Sequence, residues 1–275
     1  MWVQEQIESY RRRKTATEWF DAHCWIGVGP RSSLRPVTTW EQTVQQLARY
    51  GIRRAVVAHA LARDYDPTTG NRLLLAAIAD RESLWGAAVL TPDDEDQVSL
   101  GKRLKSLIAG KVRMVRIFPR SHNWSLSDWG FGPWLDALEE LQLPLAVWHT
   151  ETTWADVAAV CQSHPRLPVI VEGPNRKLLY HNRTYYQLFE RFPNFHLEIH
   201  NLVGYLGLDD LVRRFGSNRL IFGTYFPHQD PNVPMMLVTH GELSVADQAN
   251  IAGGNMLRLM TEVIQSDQRS DATDH

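Results

Sequence analysis

Imidazole, carboxylate and guanidinium side chains stand at the ends of short apolar runs along this chain. Asp21 and His23 close the first run; His59, Arg116, His149, Glu172 and His200 close later ones, and Tyr225 follows the last. Imidazoles and carboxylates hold divalent ions and move protons near neutral pH, while a guanidinium grips a carboxylate in a fixed fork. Brought to one place, these groups would support metal-assisted or acid–base chemistry on a small molecule. The elements between them must do the bringing.

Eight β-branched or apolar runs are predicted as strands: Glu18 to His23, Arg54 to His59, Leu84 to Leu90, Val112 to Phe118, Leu143 to His149, Leu167 to Glu172, Phe195 to His200 and Arg219 to Thr224. They recur at about 30-residue intervals, the spacing of a parallel sheet whose strands are each followed by a returning helix. Amphipathic stretches with helix-start residues lie between them, as in Thr38-Thr39-Trp40-Glu41 and Ser127-Asp128. Short phrases such as Arg49-Tyr50-Gly51-Ile52 and Arg191-Phe192-Pro193-Asn194 lead from helix to strand. An open doubly wound sheet would want a GxGxxG turn after its first strand, and there is none. The expected fold is therefore a (β/α)₈ TIM barrel with an extra N-terminal helix carrying Trp2, Val3, Ile7 and Tyr10, placed to cover the barrel bottom or meet a second copy in a homo-oligomer. Residues 1–264 read as one domain and 265–275 as a polar tail.

Composition narrows the partners. With 275 residues, 44% hydrophobic and 22% charged, the chain can bury a large core, and a formal net charge of -2 offers no general attraction to nucleic acid or an anionic membrane. The one basic run, Arg11-Arg12-Arg13-Lys14, reads as a solvated helix end. Two cysteines outside any CxxC pair fit a reducing cytoplasm, and the first residues lack the basic-then-apolar pattern of an export signal. A small-molecule substrate is the expected partner.

Three segments resemble the amidohydrolase-related family of metal-dependent TIM-barrel hydrolases. Phe20-Asp21-Ala22-His23-Cys24-Trp25-Ile26-Gly27 is similar to its opening strand, Asp-x-His-x-His followed by glycine; Ile221-Phe222-Gly223-Thr224-Tyr225-Phe226-Pro227 to its last strand, Gly-Thr-Asp-x-Pro; and Gly253-Gly254-Asn255-Met256-Leu257-Arg258-Leu259 to its closing helix. The resemblance implies a zinc or similar ion held by the paired histidines of the first strand, by histidines ending the fifth and sixth strands, and by the last-strand aspartate. Matched by position, His23 is the first of these histidines and His149 the fifth-strand ligand. Trp25 replaces the second histidine, Glu172 or Gly173 stands near the sixth-strand one, and Tyr225 replaces the aspartate. A tryptophan offers a cation no lone pair, and a tyrosine near pKa 10 is a poor base at neutral pH.

The departures leave more than one chemistry open. The leading expectation is a hydrolase with a reshuffled divalent-metal site of His23, His149, Glu172 and His200, zinc being the ion implied. A metal-independent acid–base enzyme, with His23 or Glu172 as acid or base, Tyr225 donating a hydrogen bond and Arg116 clamping an anion, is the second; a decarboxylase on the same fold and a non-catalytic ligand-binding or partner-binding relative complete the set. Alternation places His196, Glu198 and His200 on one face, where Glu198 needs a partner, and turns Cys24 away from His23 toward the helices; Trp148 is read as pointing out of the barrel and His149 into it. Trp25, Trp124, Trp129 and Trp154 are candidate walls of a pocket, and His59, His181 and His228 candidate substrate contacts.

Overall fold

The computed structural model describes residues 2–27, 39–92, 97–173, 181–204 and 206–263. In chain order the elements are α1 (Trp2–Ala16), β1 (Trp19–Ile26), α2 (Trp40–Arg49), β2 (Ile52–His59), α3 (Ala60–Asp64), α4 (Pro67–Ile78), β3 (Leu84–Val89), α5 (Gln97–Ala109), β4 (Val112–Ile117) and α6 (Asp128–Glu140). There follow β5 (Leu145–Trp148), α7 (Trp154–Ser163), β6 (Val169–Glu172), α8 (Asn182–Arg191), β7 (Phe195–Glu198), α9 (Gly207–Phe215), β8 (Leu220–Ile221), α10 (Asn232–His240) and α11 (Val245–Ala249). A helical segment over residues 250–263 ends the described chain. Eight parallel strands run in the order β1 to β8. The seam between β8 and β1 is drawn together by Ala22 N–H to Phe222 O (3.0 Å), Trp25 N–H to Phe226 O (2.8 Å) and the Cys24–Phe226 bridge. The expected (β/α)₈ barrel with its N-terminal helix is the observed architecture, while the tail over 265–275 lies outside the described residues.

Local chemistry explains the helix starts. Thr39 caps α2 in a reciprocal box with Gln42, its hydroxyl taking the Gln42 N–H and the Gln42 side chain taking the Thr39 N–H. Thr153 does the same for α7 with Asp156, and Asp66 caps α4 ahead of Pro67. Gly51, at φ +86, makes the left-handed turn from α2 into β2.

The buried side chains divide into two layers. One combines strand residues such as Val57, Ala88, Val147, Val171 and Leu197 with helix residues such as Leu74, Leu104, Leu135 and Leu188, and fills the space between sheet and helices. The other is built mostly from strands and the turns after them, with Phe20, Ala22, Trp25, Val56, Ala87, Met114, Phe118, Ala146, Trp148, Ile170, Ile221 and Tyr225, joined by Ala60 and Ala62 of α3 and by Met256, Leu259 and Met260 of the last helical segment. This second layer is the barrel interior. It corrects one expectation: Trp148 lies in it together with Ala146, so the inward position at the end of β5 belongs to tryptophan, and His149 falls on the opposite parity.

A bulge in β1 sets the interior on its side. Asp21 pairs with Ala55 and Cys24 with Val57, so three steps on β1 match two on β2. Phe20 and Ala22 face inward before the extra residue, Trp25 after it, with His23 turned to the same interior and Cys24 packed in the outer layer. Strand β8 is shorter than the predicted run Arg219 to Thr224, and in the turn after it Tyr225 takes a left-handed backbone (φ +55).

Candidate active site

The site is assembled from the C-terminal halves of β1, β4, β6 and β7 and from the turn after β8, and it is organised around two of the barrel's buried carboxylates, Glu172 and Glu198. Glu172, the inward residue ending β6, receives the Arg116 guanidinium from β4: Nη2 reaches Oε1 at 2.8 Å, and Nε reaches Oε1 and Oε2 at 3.2 and 3.1 Å. The Trp148 indole N–H donates to Oε2 at 3.1 Å, and a second hydrogen of Arg116 Nη2 goes to Ala22 O at 2.7 Å. Arg116 and Glu172 are 0% and 1% exposed, where neither ion would be tolerated without the other.

Glu198, the inward residue of β7, lies between two imidazoles. Its Oε2 is 3.4 Å from Nδ1 of His23 and also takes the Nδ1 of His200, while Oε1 accepts the His200 backbone N–H at 2.8 Å. Burial pushes the Glu198 carboxyl up, but His200 and His23 outweigh it and hold it down at about 2. Burial depresses the pKa of His23, with the Glu172 charge opposing and the Arg116 charge assisting, so the ring is neutral. A carboxylate only accepts hydrogen bonds, so Nδ1 of His23 carries the proton and Nε2 the lone pair. That Nε2 is buried, has no hydrogen-bond partner among the described residues, and stands 3.7 Å from Glu172 Oε2.

The backbone makes this approach possible at one point above all. A Cβ on Gly223 would stand 2.6 Å from Glu198 Oε1 and 2.7 Å from His23 Cβ, so only glycine lets the chain leaving β8 pass behind the pair. The adjacent seam is pinned by Asp21, which accepts the backbone N–H groups of His23 (3.0 Å) and Thr224 (2.9 Å) and the Thr224 hydroxyl. Burial pushes the Asp21 carboxyl up to about 7 although those hydrogen bonds pull the other way. Aromatic rings enclose the centre. Tyr225 lies 5.0 Å from the His23 ring and stacks on His200 at 5.4 Å; Trp25 and Trp148 each lie 6.2 Å from His23; and Arg63 from α3 covers the outer face of this box, 4.2 Å from the Trp148 ring.

Of the residues singled out in the sequence, the structure thus brings together His23, Arg116, Glu172, His200 and Tyr225. His149 stands apart: its Nδ1 is 3.3 Å from Glu172 O and its ring packs 5.3 Å from His181, whose Nδ1 accepts the Trp154 indole N–H. His59 caps α3 through Nδ1 to Leu61 N–H, and His228 packs on Tyr225. Among the tryptophans, Trp25 lines the interior, Trp124 stacks on Phe131, Trp154 meets His181, and Trp129 is 85% exposed. The residue that sequence reasoning undervalued is Glu198, taken as an inward carboxylate needing a partner when it is the link between both histidines.

Which residues suit a divalent ion follows from the donors. Trp25 and Tyr225 occupy positions that the family resemblance gives to ligands, Trp148 takes the inward position at the end of β5 where His149 was expected, and Glu172 is engaged by Arg116. His23, Glu198 and His200, in contrast, each offer a donor atom within 4.8 Å of the others, all buried. Two imidazoles and a carboxylate are a donor set, and three a number, with which catalytic divalent ions are held. The residues fit such an ion in kind, on β1 and β7.

Residues 20–260 match the family model described as Amidohydrolase. No curated protein matches the chain. Among solved structures, an uncharacterized TIM-barrel protein from Bordetella bronchiseptica is similar at 17% identity and TM-score 0.62, covering 82% of this chain and 83% of its own. The 5-carboxyvanillate decarboxylase of Sphingomonas paucimobilis is similar at 13% identity and TM-score 0.67 (89% and 99% covered). That of Novosphingobium aromaticivorans, complexed with manganese and 4-hydroxy-3-methoxy-5-nitrobenzoic acid, gives 12% and 0.70 (90% and 97% covered).

Proposed function

Because the chain belongs to the amidohydrolase family, we propose that it is a hydrolase acting on a small molecule at the C-terminal end of its barrel, with His23 as general base. One observation carries the reading: Nε2 of a neutral, buried His23 lacks a hydrogen-bond partner among the described residues while Glu198 holds Nδ1. A carboxylate on one nitrogen fixes the tautomer and stabilises the imidazolium once the other nitrogen takes a proton. A water at Nε2 gives its proton to His23 as its oxygen attacks an acyl carbon; His23 returns that proton to the leaving group as the acyl bond breaks. Arg116, whose Nη1 has no partner in the described residues, supplies a fixed positive charge for the developing oxyanion or for an anionic group of the substrate. Two buried, unpaired cysteines suit a reducing cytoplasm as its compartment.

A second reading rests on the donor trio. A divalent ion, zinc being one that this donor set suits, would be held by His23, Glu198 and His200 and would supply Lewis acidity and a more acidic water. His23 is then a ligand and not the base.

The experiment offers esters, lactones, amides and, because two solved relatives are aromatic-acid decarboxylases, aromatic carboxylic acids, with metal content measured alongside. The base reading expects hydrolysis that survives chelation and falls about 10²–10⁴-fold in His23→Asn. Loss of hydrolysis on chelation with recovery on adding zinc or manganese replaces it by the metal reading. Carbon dioxide release without hydrolysis overturns the hydrolase; ligand-induced stabilisation with no turnover overturns catalysis altogether.

A further inference from the structure

Of the nine exposed large apolar side chains among the described residues, five lie on α1 and α10, two helices that pack on each other. On α1, Trp2, Val3 and Ile7 are 70%, 62% and 39% exposed; on α10, the helix against which α1 packs, Val233 and Met236 are 52% and 45% exposed. The α1 helix buries no residue. Only its second half is tied down: Tyr10 donates its hydroxyl to Asn232 Oδ1 at 2.6 Å, Lys14 Nζ reaches the same oxygen at 2.9 Å, and Arg13 Nη1 reaches Thr239 O at 2.7 Å. Residues 2–8 are exposed throughout. Two overhanging turns have little helical stability of their own in water, and Val3 and Ile7 continue the stripe by which Tyr10 meets α10.

The charges say what covers them. Arg13 and Lys14 bond to uncharged oxygens and keep their charges, so α1 is acidic toward its start, with Glu5 and Glu8, and basic toward its end, with Arg11, Arg12, Arg13 and Lys14. An anionic membrane or an acidic partner would meet two carboxylates and no cation on the exposed apolar turns over residues 2–8; a helix acidic toward one end and basic toward the other matches its own antiparallel copy. The two helices also carry both halves of one contact, a projecting apolar helix start and an exposed apolar strip on α10. Self-complementarity of this kind is what a two-fold interface requires.

We propose that the chain forms a two-fold dimer in which the first turns of α1 lie on α10 of a second copy and the exchange is reciprocal, Trp2 and Ile7 packing on Val233 and Met236. Glu5 and Glu8 then run beside Arg11 and Arg12 of the other α1.

Sedimentation or light scattering of the full chain tests this. The wild type is expected at twice the chain mass, and the double variants Trp2→Glu/Ile7→Glu and Val233→Glu/Met236→Glu at the chain mass with unchanged far-ultraviolet circular dichroism. Glu5→Arg/Glu8→Arg is expected to dissociate the dimer, and adding Arg11→Glu/Arg12→Glu to restore it, a rescue that damage to the fold would not give. A wild type at the chain mass at every concentration, a dimer that persists in both apolar variants, failure of the charge-swap rescue, or a monomer that co-sediments with phosphatidylserine vesicles overturns the proposal.

Discussion

Two of the barrel's buried carboxylates, Glu172 and Glu198, are held in opposite ways. On the β4–β6 side, Glu172 is held by a permanent cation in a multiply bonded fork, with an indole N–H on one oxygen. On the β7–β1 side, Glu198 is held by two imidazoles whose charge depends on protonation. The first arrangement fixes a guanidinium in place; the second can pass a proton. A site able to do acid–base chemistry needs both, one group that changes and one that stays charged while it does.

The contrast breaks first at His23. Under the base reading His23→Asn and Glu198→Gln each lower turnover about 10²–10⁴-fold, and His23→Asn costs far less stability than activity. Equal loss of both would put the β7–β1 cluster with the structural one. On the other side, Glu172→Leu leaves the Arg116 charge buried and unpaired and is expected to cost about 3–5 kcal/mol in denaturant unfolding. The double variant Arg116→Met/Glu172→Leu should recover most of that stability without recovering activity, which separates a structural role of the pair from an electrostatic one. Gly223→Ala, which forces a methyl against Glu198 and His23, is expected to cost about 1–3 kcal/mol and to lower activity further than that stability loss explains. The smallest effect is outside both clusters. Burial pushes the Cys161 thiol up to about 12 and raises that of Cys24 well above its ordinary value, so at pH 8 neither forms thiolate, and a thiol reagent should label neither until the chain unfolds.

Much of this arrangement is legible in the sequence, for identifiable reasons. Eight apolar runs at helix-plus-strand spacing give the barrel, and charged residues at run ends give His23, Arg116, Glu172 and His200 as neighbours, since a costly buried charge is informative wherever it occurs. What failed is parity. In β5 every residue from Leu145 to Trp148 is buried on one face or the other, so no polar residue marks the outside, and Trp148 and His149 exchange places relative to expectation. Glu198 was seen to face inward by alternation with His196 and His200, but its contact with His23 joins residues 175 positions apart and depends on Gly223, which a single sequence does not reveal.

The bulge in β1 makes the site depend on a count as much as on residue types. Each side of that strand is apolar before and after it, so a chain shortened by one residue between Asp21 and Cys24 would still present a foldable run. In the shortened strand two steps would match two on β2, so Cys24 would keep its place in the outer layer and Trp25 its place in the interior. Loss of Ala22 in this way would leave His23 facing inward in its stead. The same residues laid out without the bulge would instead turn the thiol inward and the imidazole outward, so the one extra residue is what puts nitrogen rather than sulfur at the centre.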